Sequence, residues 1–259
     1  AVDAEPADFI FNIEAAHHPD QRVLQERLTS EPRYEVEHHV HATTGMRLAR
    51  LAAKPGHLTV RYRALVETRY RRPTGHEEEV PIRELPSEVT PYLWPSRYCE
   101  SDSLFRLALV HFGQVPKGYG RVESVCQWVR DNVQYAIGTS VPSTSARDVL
   151  LQRAGVCRDF AHVCIALCRA LNIPARLVTG YAQYEDPPPD FHAMFEAFLG
   201  GRWILFDPTR LSPEEDLIRI ATTRDAADAA FATLFGPIRF LRWRPDVFNA
   251  EAAHQANGW

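Results

Sequence analysis

Residues 157–171 constrain the fold more than any other part of the sequence. They read CRDFAHVCIALCRAL, a composition that predicts a helix with apolar side chains on nearly every face. Such a helix belongs in the centre of a domain, because any face turned to water would expose hydrophobic surface. The sequence NIP at 172–174 ends the helix, since the residue before a proline is driven out of the α region. We therefore expect the helix to be covered by other elements.

The elements around this helix predict a domain of the α+β class. Capping residues and apolar periodicity indicate three earlier helices, at residues 101–112, 121–133 and 144–153. Strands are predicted after it at 176–183, 193–199 and 202–206. A Gly-Gly pair at 200–201 separates the last two strands, which is a strong signal for a two-residue hairpin. Helices followed by antiparallel strands are typical of α+β domains.

The first third of the chain is predicted to be antiparallel β structure. From Leu58 onward the sequence LTVRYRALVETRYR alternates, with Val60 and Tyr62 on one face and Arg61 and Arg63 on the other. Shorter strands are predicted at 8–15, 22–28, 33–41 and 45–51, and a helical pattern is present at 226–234. Prolines recur through residues 81–97 without sustained periodicity, which indicates a linker. The predicted organisation is a β-rich N-terminal domain at 1–80, a linker at 81–97 and an α+β domain at 98–259.

Composition narrows the classes of function without choosing one. The chain has 259 residues and a net charge of −4, which gives no reason to expect nucleic acid or an anionic membrane as partner. It has no run of about 18 apolar residues of the kind that crosses a bilayer. Five cysteines are an odd number, so a disulfide framework is not indicated and the cytoplasm is the expected location. Loss of a leader by processing and assembly into a homo-oligomer are left open.

Cys157 is the candidate nucleophile. It stands at the predicted start of the buried helix, where unpaired backbone N–H groups and the helix dipole favour the thiolate form. The same N–H groups can stabilise the oxyanion that forms when a carbonyl is attacked. Tyr135 and Gln134, upstream in the chain, are candidates for a second oxyanion donor. Cys164 and Cys168 lie among apolar neighbours on the helix and are expected to be small core residues.

The predicted hairpin brings a histidine and a carboxylate together. With the turn at the glycine pair, Met194 opposes Asp207, and His192 lies on the same sheet face, diagonal to Asp207. Diagonal neighbours are about 7–8 Å apart at the backbone, close enough for a ring and a carboxylate to meet. We expect Asp207 to fix the imidazole tautomer. His192 would then take the proton of Cys157 and return it to the leaving group.

Each of these signals has a structural alternative. A cysteine at a helix start is more often structural than catalytic, and a lone His–Asp pair on a surface strand contributes little. Their joint occurrence favours catalysis. Metal sites are less favoured: His39 and His41 share a predicted strand face, but no cysteine or carboxylate obviously converges on them. A zinc site on the buried helix would need His162, which points away from the face that its cysteines share.

Residues 145–210 resemble the core of the transglutaminase-like superfamily. The resemblance lies in GVCRDFAHVCIALCRALNIPARLVTGY, in the HA pair at His192 followed by Glu196, and in WILFDPT at 203–209. It implies a papain-like α+β fold, a reaction through a thioester acyl-enzyme and no cofactor or metal. The family's catalytic triad maps onto Cys157, His192 and Asp207. Residues 1–80 resemble the β-rich region that precedes this core in bacterial members.

The resemblance leaves the acyl acceptor open. Family activities include crosslinking of amides to amines, hydrolysis of peptides or amides, and deglycosylation. We expect hydrolysis of a peptide or protein amide, because no dedicated amine site is evident. The alternatives are an amine-accepting transglutaminase and a non-catalytic binding or scaffold protein that kept the fold. Two departures from the family stand out: Met194 replaces a frequent tryptophan, which is expected to alter the wall of the cleft, and no acidic cluster resembles a calcium loop.

Overall fold

The computed structural model describes residues 1–3, 5–184 and 191–250. The N-terminal strands are Ala7–Phe11 (β1), Gln21–Glu31 (β2), Glu37–Val40 (β3), Arg47–Ala53 (β4) and Thr59–Thr68 (β5). The predicted antiparallel β region is therefore confirmed, with shifted strand ends. In β5 the expected alternation is present, with Val60 and Tyr62 half-buried and Arg61 and Arg63 exposed. β2 pairs with β5, and β1 and β3 flank β4.

The second part of the chain combines helices with an antiparallel sheet. Its elements are Phe105–Phe112 (α1), Tyr119–Asn132 (α2), Gln134–Tyr135 (β6), Ala146–Gln152 (α3), Ala154–Gly155 (β7), Cys157–Ala170 (α4), Ala175–Tyr181 (β8), Phe191–Leu199 (β9), Arg202–Phe206 (β10), Ile218–Thr223 (β11) and Ala232–Phe235 (β12). The main sheet has the order β10-β9-β8-β11. This arrangement confirms the predicted α+β class. Within the described residues, no helix is both long and apolar enough to span a bilayer.

The helix α4 occupies the centre of this domain, as its sequence predicts. Every residue from Asp159 to Ala170 is buried. The helix packs against α1, α2 and α3 on one side and against β8 and β9 on the other. The face of β9 that carries Ala193, Phe195 and Ala197 belongs to the same hydrophobic core. The central position of α4 leaves its N-terminus, with Cys157, as the part that can reach solvent.

The hairpin of β9 and β10 has the predicted register. Arg202 pairs with Leu199, and Trp203 pairs with Phe198. Gly200 and Gly201 have φ angles of 56° and 78°, the two positive values that a type I′ turn requires and that glycine adopts without strain. Because Asp207 follows the last paired residue of β10, continuing the register places it on the sheet face that carries His192.

The C-terminal part of the described chain differs from the prediction. The expected helix at 226–234 is wrong: a short 3-10 turn at Ala226–Asp228 is followed by the strand β12. β12 pairs with β1, with Leu234 opposite Phe9, and so completes a sheet of the order β12-β1-β4-β3. Pairing with a distant strand outweighs the local helical preference of this alanine-rich stretch. The N-terminal sheet thus includes a strand from the region assigned to the second domain, and residues 81–97 contain two 3-10 turns.

A buried ion cluster connects the two parts. The carboxylate of Glu196, on β9, lies 2.7 Å from Arg176 Nε on β8 and 2.7 Å from Arg219 Nη1 on β11. Arg219 also donates its backbone N–H to Gln21 Oε1, and its Nη2 atom lies 3.5 Å from Asp20 Oδ2. Burial would raise the pKa of Glu196, but the two guanidinium groups outweigh it and lower that pKa to about 2. The cluster therefore holds the start of β2 against the sheet that carries His192.

Candidate active site

Cys157 is the first residue of α4, and a close approach of the backbone places it there. Gly155 packs so tightly against the first turn that an added Cβ would lie 2.8 Å from Asp159 Cβ. Asp159 in turn accepts a hydrogen bond from the backbone N–H of Val156 at 2.9 Å. This bond caps the helix and leaves the N–H of Cys157 among the unpaired donors of the first turn. Cys157 is partly exposed.

The other cysteines are core residues. Cys99, Cys126, Cys164 and Cys168 are all buried and free. Burial raises the pKa of the Cys99 thiol to about 12, and it raises the pKa values of Cys164 and Cys168 well above the ordinary value. The expected core role of Cys164 and Cys168 is therefore confirmed. Of the five thiols, Cys157 alone is open to a reagent in solution.

His192 and Asp207 form a buried pair. The His192 Nε2 atom lies 3.0 Å from Asp207 Oδ2, and the residues are only 1% and 4% exposed. Asp207 Oδ1 accepts hydrogen bonds from the backbone N–H and the hydroxyl of Thr209, at 2.8 and 2.6 Å, and Oδ2 accepts one from the N–H of Ser212. Burial alone would raise the pKa of Asp207, but these bonds and the charge of His192 hold it below the ordinary value. The carboxylate stays ionised.

The imidazole of His192 interacts with Cys157 as well as with Asp207. Burial alone would lower the pKa of His192, but hydrogen bonding and charge from Asp207 and Cys157 raise it to about 10. The contact with Cys157 is looser than an ordinary hydrogen bond, so Nδ1 has no conventional partner within the described residues. Hydrogen bonds of this kind are often long before a substrate binds. The ring is therefore an imidazolium at neutral pH, beside the one accessible thiol.

Neighbouring groups hold the imidazole in place. Tyr184 packs against the His192 ring, with 5.5 Å between ring centroids. Gly180 is the residue opposite His192 on β8, and a Cβ there would lie 2.2 Å from the carbonyl oxygen of Ile218.

The expected role of Met194 in the cleft wall is wrong. Met194 is fully buried in a small core with Val178, Leu205 and Leu217, because its sheet face is covered at that point.

The histidines considered as metal ligands do not come together with other metal-binding side chains, and local hydrogen bonds occupy two of them. Within the described residues, no group of three or more histidine, cysteine or acidic side chains is placed to hold a metal ion. His41 lies beyond the end of β3, and its Nδ1 accepts N–H groups from Thr43 and Thr44 in a turn. His162 is buried, stacks on Tyr98 and accepts the backbone N–H of Ala226. These histidines are accounted for by local structure.

Sequence reasoning missed the residues that orient Asp207. Thr209 and Ser212 supply three of its hydrogen bonds, and neither was singled out. The available signal was the sequence DPT, in which an aspartate commonly accepts the N–H two residues later. The bond from Ser212 arises from the path of the following loop and has no comparable local pattern.

Comparisons with known proteins show which sequences and structures this chain is similar to. Residues 111–208 match the model of the transglutaminase-like superfamily, and residues 2–88 match the bacterial transglutaminase N-terminal domain. A crystal structure of a protein from Cytophaga hutchinsonii, described as a "Putative Cysteine Protease", is 46% identical, with a TM-score of 0.84 over 91% of this chain and 82% of that one. An uncharacterised protein of Mycobacterium leprae is 34% identical over 42% of each chain. One from Mycobacterium tuberculosis is 47% identical over 21% of this chain and 17% of its own length. The matches span less than half the length of these curated relatives.

Proposed function

The chain belongs to the transglutaminase-like superfamily, and we propose that it is a cysteine hydrolase that cleaves amide or peptide bonds through a thioester intermediate. The observation that carries the proposal is the buried His192–Asp207 pair beside Cys157, the accessible thiol at a helix start. The name of the relative from Cytophaga hutchinsonii supports hydrolysis over transfer to an amine, since that protein is 46% identical to this chain.

The first half-reaction transfers the acyl group to Cys157. The thiolate Sγ attacks the carbonyl carbon of the substrate, and the carbonyl oxygen becomes an oxyanion beside the unpaired N–H groups at the start of α4. The imidazolium of His192 then gives its proton to the nitrogen of the leaving group. The C–N bond breaks, an amine departs and a thioester remains on Cys157. Asp207 keeps the ring oriented through its 3.0 Å hydrogen bond.

The second half-reaction consumes water. His192, now neutral, takes a proton from a water molecule as the oxygen attacks the thioester carbonyl carbon. The C–S bond breaks, the carboxylic acid leaves, and the thiolate–imidazolium pair is restored. The ionised Asp207 stabilises the imidazolium that forms in this step.

The proposal is tested by trapping the acyl-enzyme. The protein is mixed with p-nitrophenyl acetate, and acetylation is mapped by mass spectrometry with and without glycinamide as a competing amine. We expect acetyl groups on Cys157, acetate as the main product, and no acetylation of that site in His192→Ala. Cys126→Ala, which removes a buried thiol, serves as the matched control. Acetylation elsewhere, or at no cysteine, would refute the proposal, and acetylglycinamide as the main product would replace the hydrolase with an amine-accepting enzyme.

A further inference from the structure

We infer that the protein forms a dimer in which β12 pairs with β12 of a second copy across a twofold axis. The inference goes beyond the proposed function, because it concerns an interaction surface and not the chemistry at Cys157. It rests on the direction of the free backbone groups of β12, on the uncharged sequence around that strand, and on the exposed apolar side chains at and after it.

The outer edge of β12 presents backbone groups that are free to pair. β12 ends the sheet β12-β1-β4-β3, and no other strand of the described chain pairs with its outer side. Just before β12, and in the same register, Phe231 accepts the N–H of Asn12 at 2.9 Å. Hydrogen-bonded pairs alternate along an antiparallel ladder, so the odd-numbered residues turn their backbone groups toward β1. Leu234, opposite Phe9, therefore turns its N–H and C=O away from the sheet.

A second copy can occupy this edge in a defined register. Around a twofold axis normal to the sheet, each residue and its twin lie on the same face, so the axis passes beside a residue and not between two. An axis at Leu234 lets the two copies of this residue exchange both N–H···O=C bonds. Thr233 then lies opposite Phe235 of the second copy. The two four-stranded sheets become one sheet of eight strands.

Neither proline nor charge closes this edge. Edge strands are commonly protected by one or the other. The carbonyl of Pro237 accepts the N–H of Asp3 at 2.9 Å, so its backbone faces the N-terminal segment and not the outer edge. From Ala229 to Ile238 the sequence AAFATLFGPI carries no charge. A charged residue near a twofold axis would repel its own twin, and an acidic or basic partner would find no counter-charge here, so the uncharged edge favours a second copy.

Exposed apolar side chains give the interface its area. Leu234 is 37% exposed, although Phe9 beside it on the same sheet face is buried in the N-terminal core. Five further large apolar residues at or after the end of β12 are more than half exposed: Phe235, Phe240, Leu241, Trp243 and Phe248. A half-exposed side chain of this size leaves roughly 100 Å² open, so the six together offer roughly 500–600 Å². A stable dimer buries about 800 Å² per partner, and the strand edge itself supplies much of the remainder.

A charge placed at the axis tests the pairing. Leu234→Lys brings two ammonium groups together, so its dimer dissociation constant should rise by at least about 10²-fold relative to the wild type. In sedimentation equilibrium at about 50 µM protein, we expect a wild-type dimer and a Leu234→Lys monomer. Leu24→Lys makes the same change at an exposed leucine of β2, and this matched control should remain a dimer.

Mixing two variants separates loss of pairing from loss of fold. Leu234→Lys and Leu234→Glu should each be monomeric, and an equimolar mixture should form a heterodimer because opposite charges then meet at the axis. A wild type that stays monomeric at about 500 µM, or a dimer that persists in Leu234→Lys, would overturn the inference. A monomer that sediments with phosphatidylglycerol vesicles would also overturn it and assign the apolar segment to a lipid surface.

Disulfide trapping tests the register without adding charge. With Cys157 replaced by alanine and oxidised glutathione as oxidant, Leu234→Cys should link two chains, because twin residues in a hydrogen-bonded pair have Cα atoms about 5.5 Å apart. Phe235→Cys should link far less, because its twin lies diagonally at about 7–8 Å. Equal linking at both positions, or linking at neither, would contradict the pairing at Leu234.

Discussion

Replacing Asp207 with asparagine tests the electrostatic design of the site. The substitution keeps the shape of the side chain but removes the charge that lies 3.0 Å from His192 Nε2. An amide can also offer its N–H₂ to the ring, which favours the wrong tautomer. We therefore expect Asp207→Asn to weaken the protonated form of His192 and to slow acyl transfer, without unfolding the domain.

The magnitude follows from the pKa of His192. A value of about 10 against the ordinary 6.5 corresponds to about 5 kcal/mol of preference for the imidazolium. Asp207 and Cys157 both contribute hydrogen bonding and charge to this preference, so we assign about half of it, about 2–3 kcal/mol, to the carboxylate. If the transition state loses these ~2–3 kcal/mol of stabilisation, kcat/KM falls by about 10²-fold.

Two measurements check the prediction. The first is kcat/KM for hydrolysis of p-nitrophenyl acetate. The second is an NMR titration of ¹³C-labelled histidine, with the His192 resonance assigned from His192→Ala. In Asp207→Asn the pKa of His192 should move from about 10 toward 6.5. Asp216→Asn, which removes an exposed carboxylate nearby on the chain, controls for the change in net charge.

The raised pKa of His192 also predicts the direction in which the free energy of unfolding changes with pH. The pKa of His192 is raised in the folded protein, so the stabilisation is complete below about pH 6.5 and is lost as pH rises through about 10. The free energy of unfolding of the wild type should therefore fall across that interval, and more steeply than that of Asp207→Asn. An unchanged rate and an unchanged His192 titration in Asp207→Asn would refute the reasoning.

Three further predictions concern the buried ion cluster, the packing of the sheet and the alkaline limit of activity. Glu196→Gln should lower the free energy of unfolding by about 3–5 kcal/mol in urea denaturation, because it removes the carboxylate that pairs with the buried Arg219 and the partly buried Arg176. The exposed-pair control Glu67→Gln should cost less than about 1 kcal/mol. Gly180→Ala should destabilise the protein strongly, because its Cβ would meet a backbone oxygen at 2.2 Å, whereas Gly120→Ala, with open space around it, should be tolerated; thermal unfolding distinguishes the two. The alkaline limb of kcat/KM should lie near pH 10, where His192 loses its proton, and a limb near pH 6.5 would show that the ion pair does not form.

Local signals in the sequence were enough to predict the elements that position the site. The helix α4 begins at Cys157, as expected from its apolar composition and the glycine before it. The glycine pair fixed the register of β9 and β10, and the register placed His192 and Asp207 on one face. Both inferences depend on residues within a short stretch of chain, where periodicity and turn chemistry decide the structure.

Elements that depend on distant partners were not predicted. β11 pairs with β8, about forty residues earlier, and β12 pairs with β1 near the other end of the chain. The alanine-rich sequence before β12 favours a helix locally, and tertiary pairing overrides that preference. The start of α1 was also placed too early, because residues 101–104 form turns and the helix begins at Phe105.

The assembly of the site depends on tertiary contacts that no local pattern contains. The approach of His192 to Cys157 joins β9 to the start of α4. The sequence suggested it through the joint occurrence of a helix-start cysteine with a His–Asp hairpin and through the resemblance to a family, and not through a local structural pattern. The burial of Glu196 likewise depends on tertiary contacts. A carboxylate on a strand face is ordinarily expected in water, and here it is covered by Arg219 and by the segment around Gln21.

The central claim, a working pair of Cys157 and His192, is tested most directly by the pH dependence of Cys157 alkylation. Iodoacetamide labelling is followed by mass spectrometry in the wild type and in His192→Ala, with the four buried cysteines as internal controls. We predict selective labelling of Cys157 at about pH 6, and its loss when His192 is removed. Labelling that begins only near pH 8.5, the ordinary range of a free thiol, and is the same in both proteins would contradict the account.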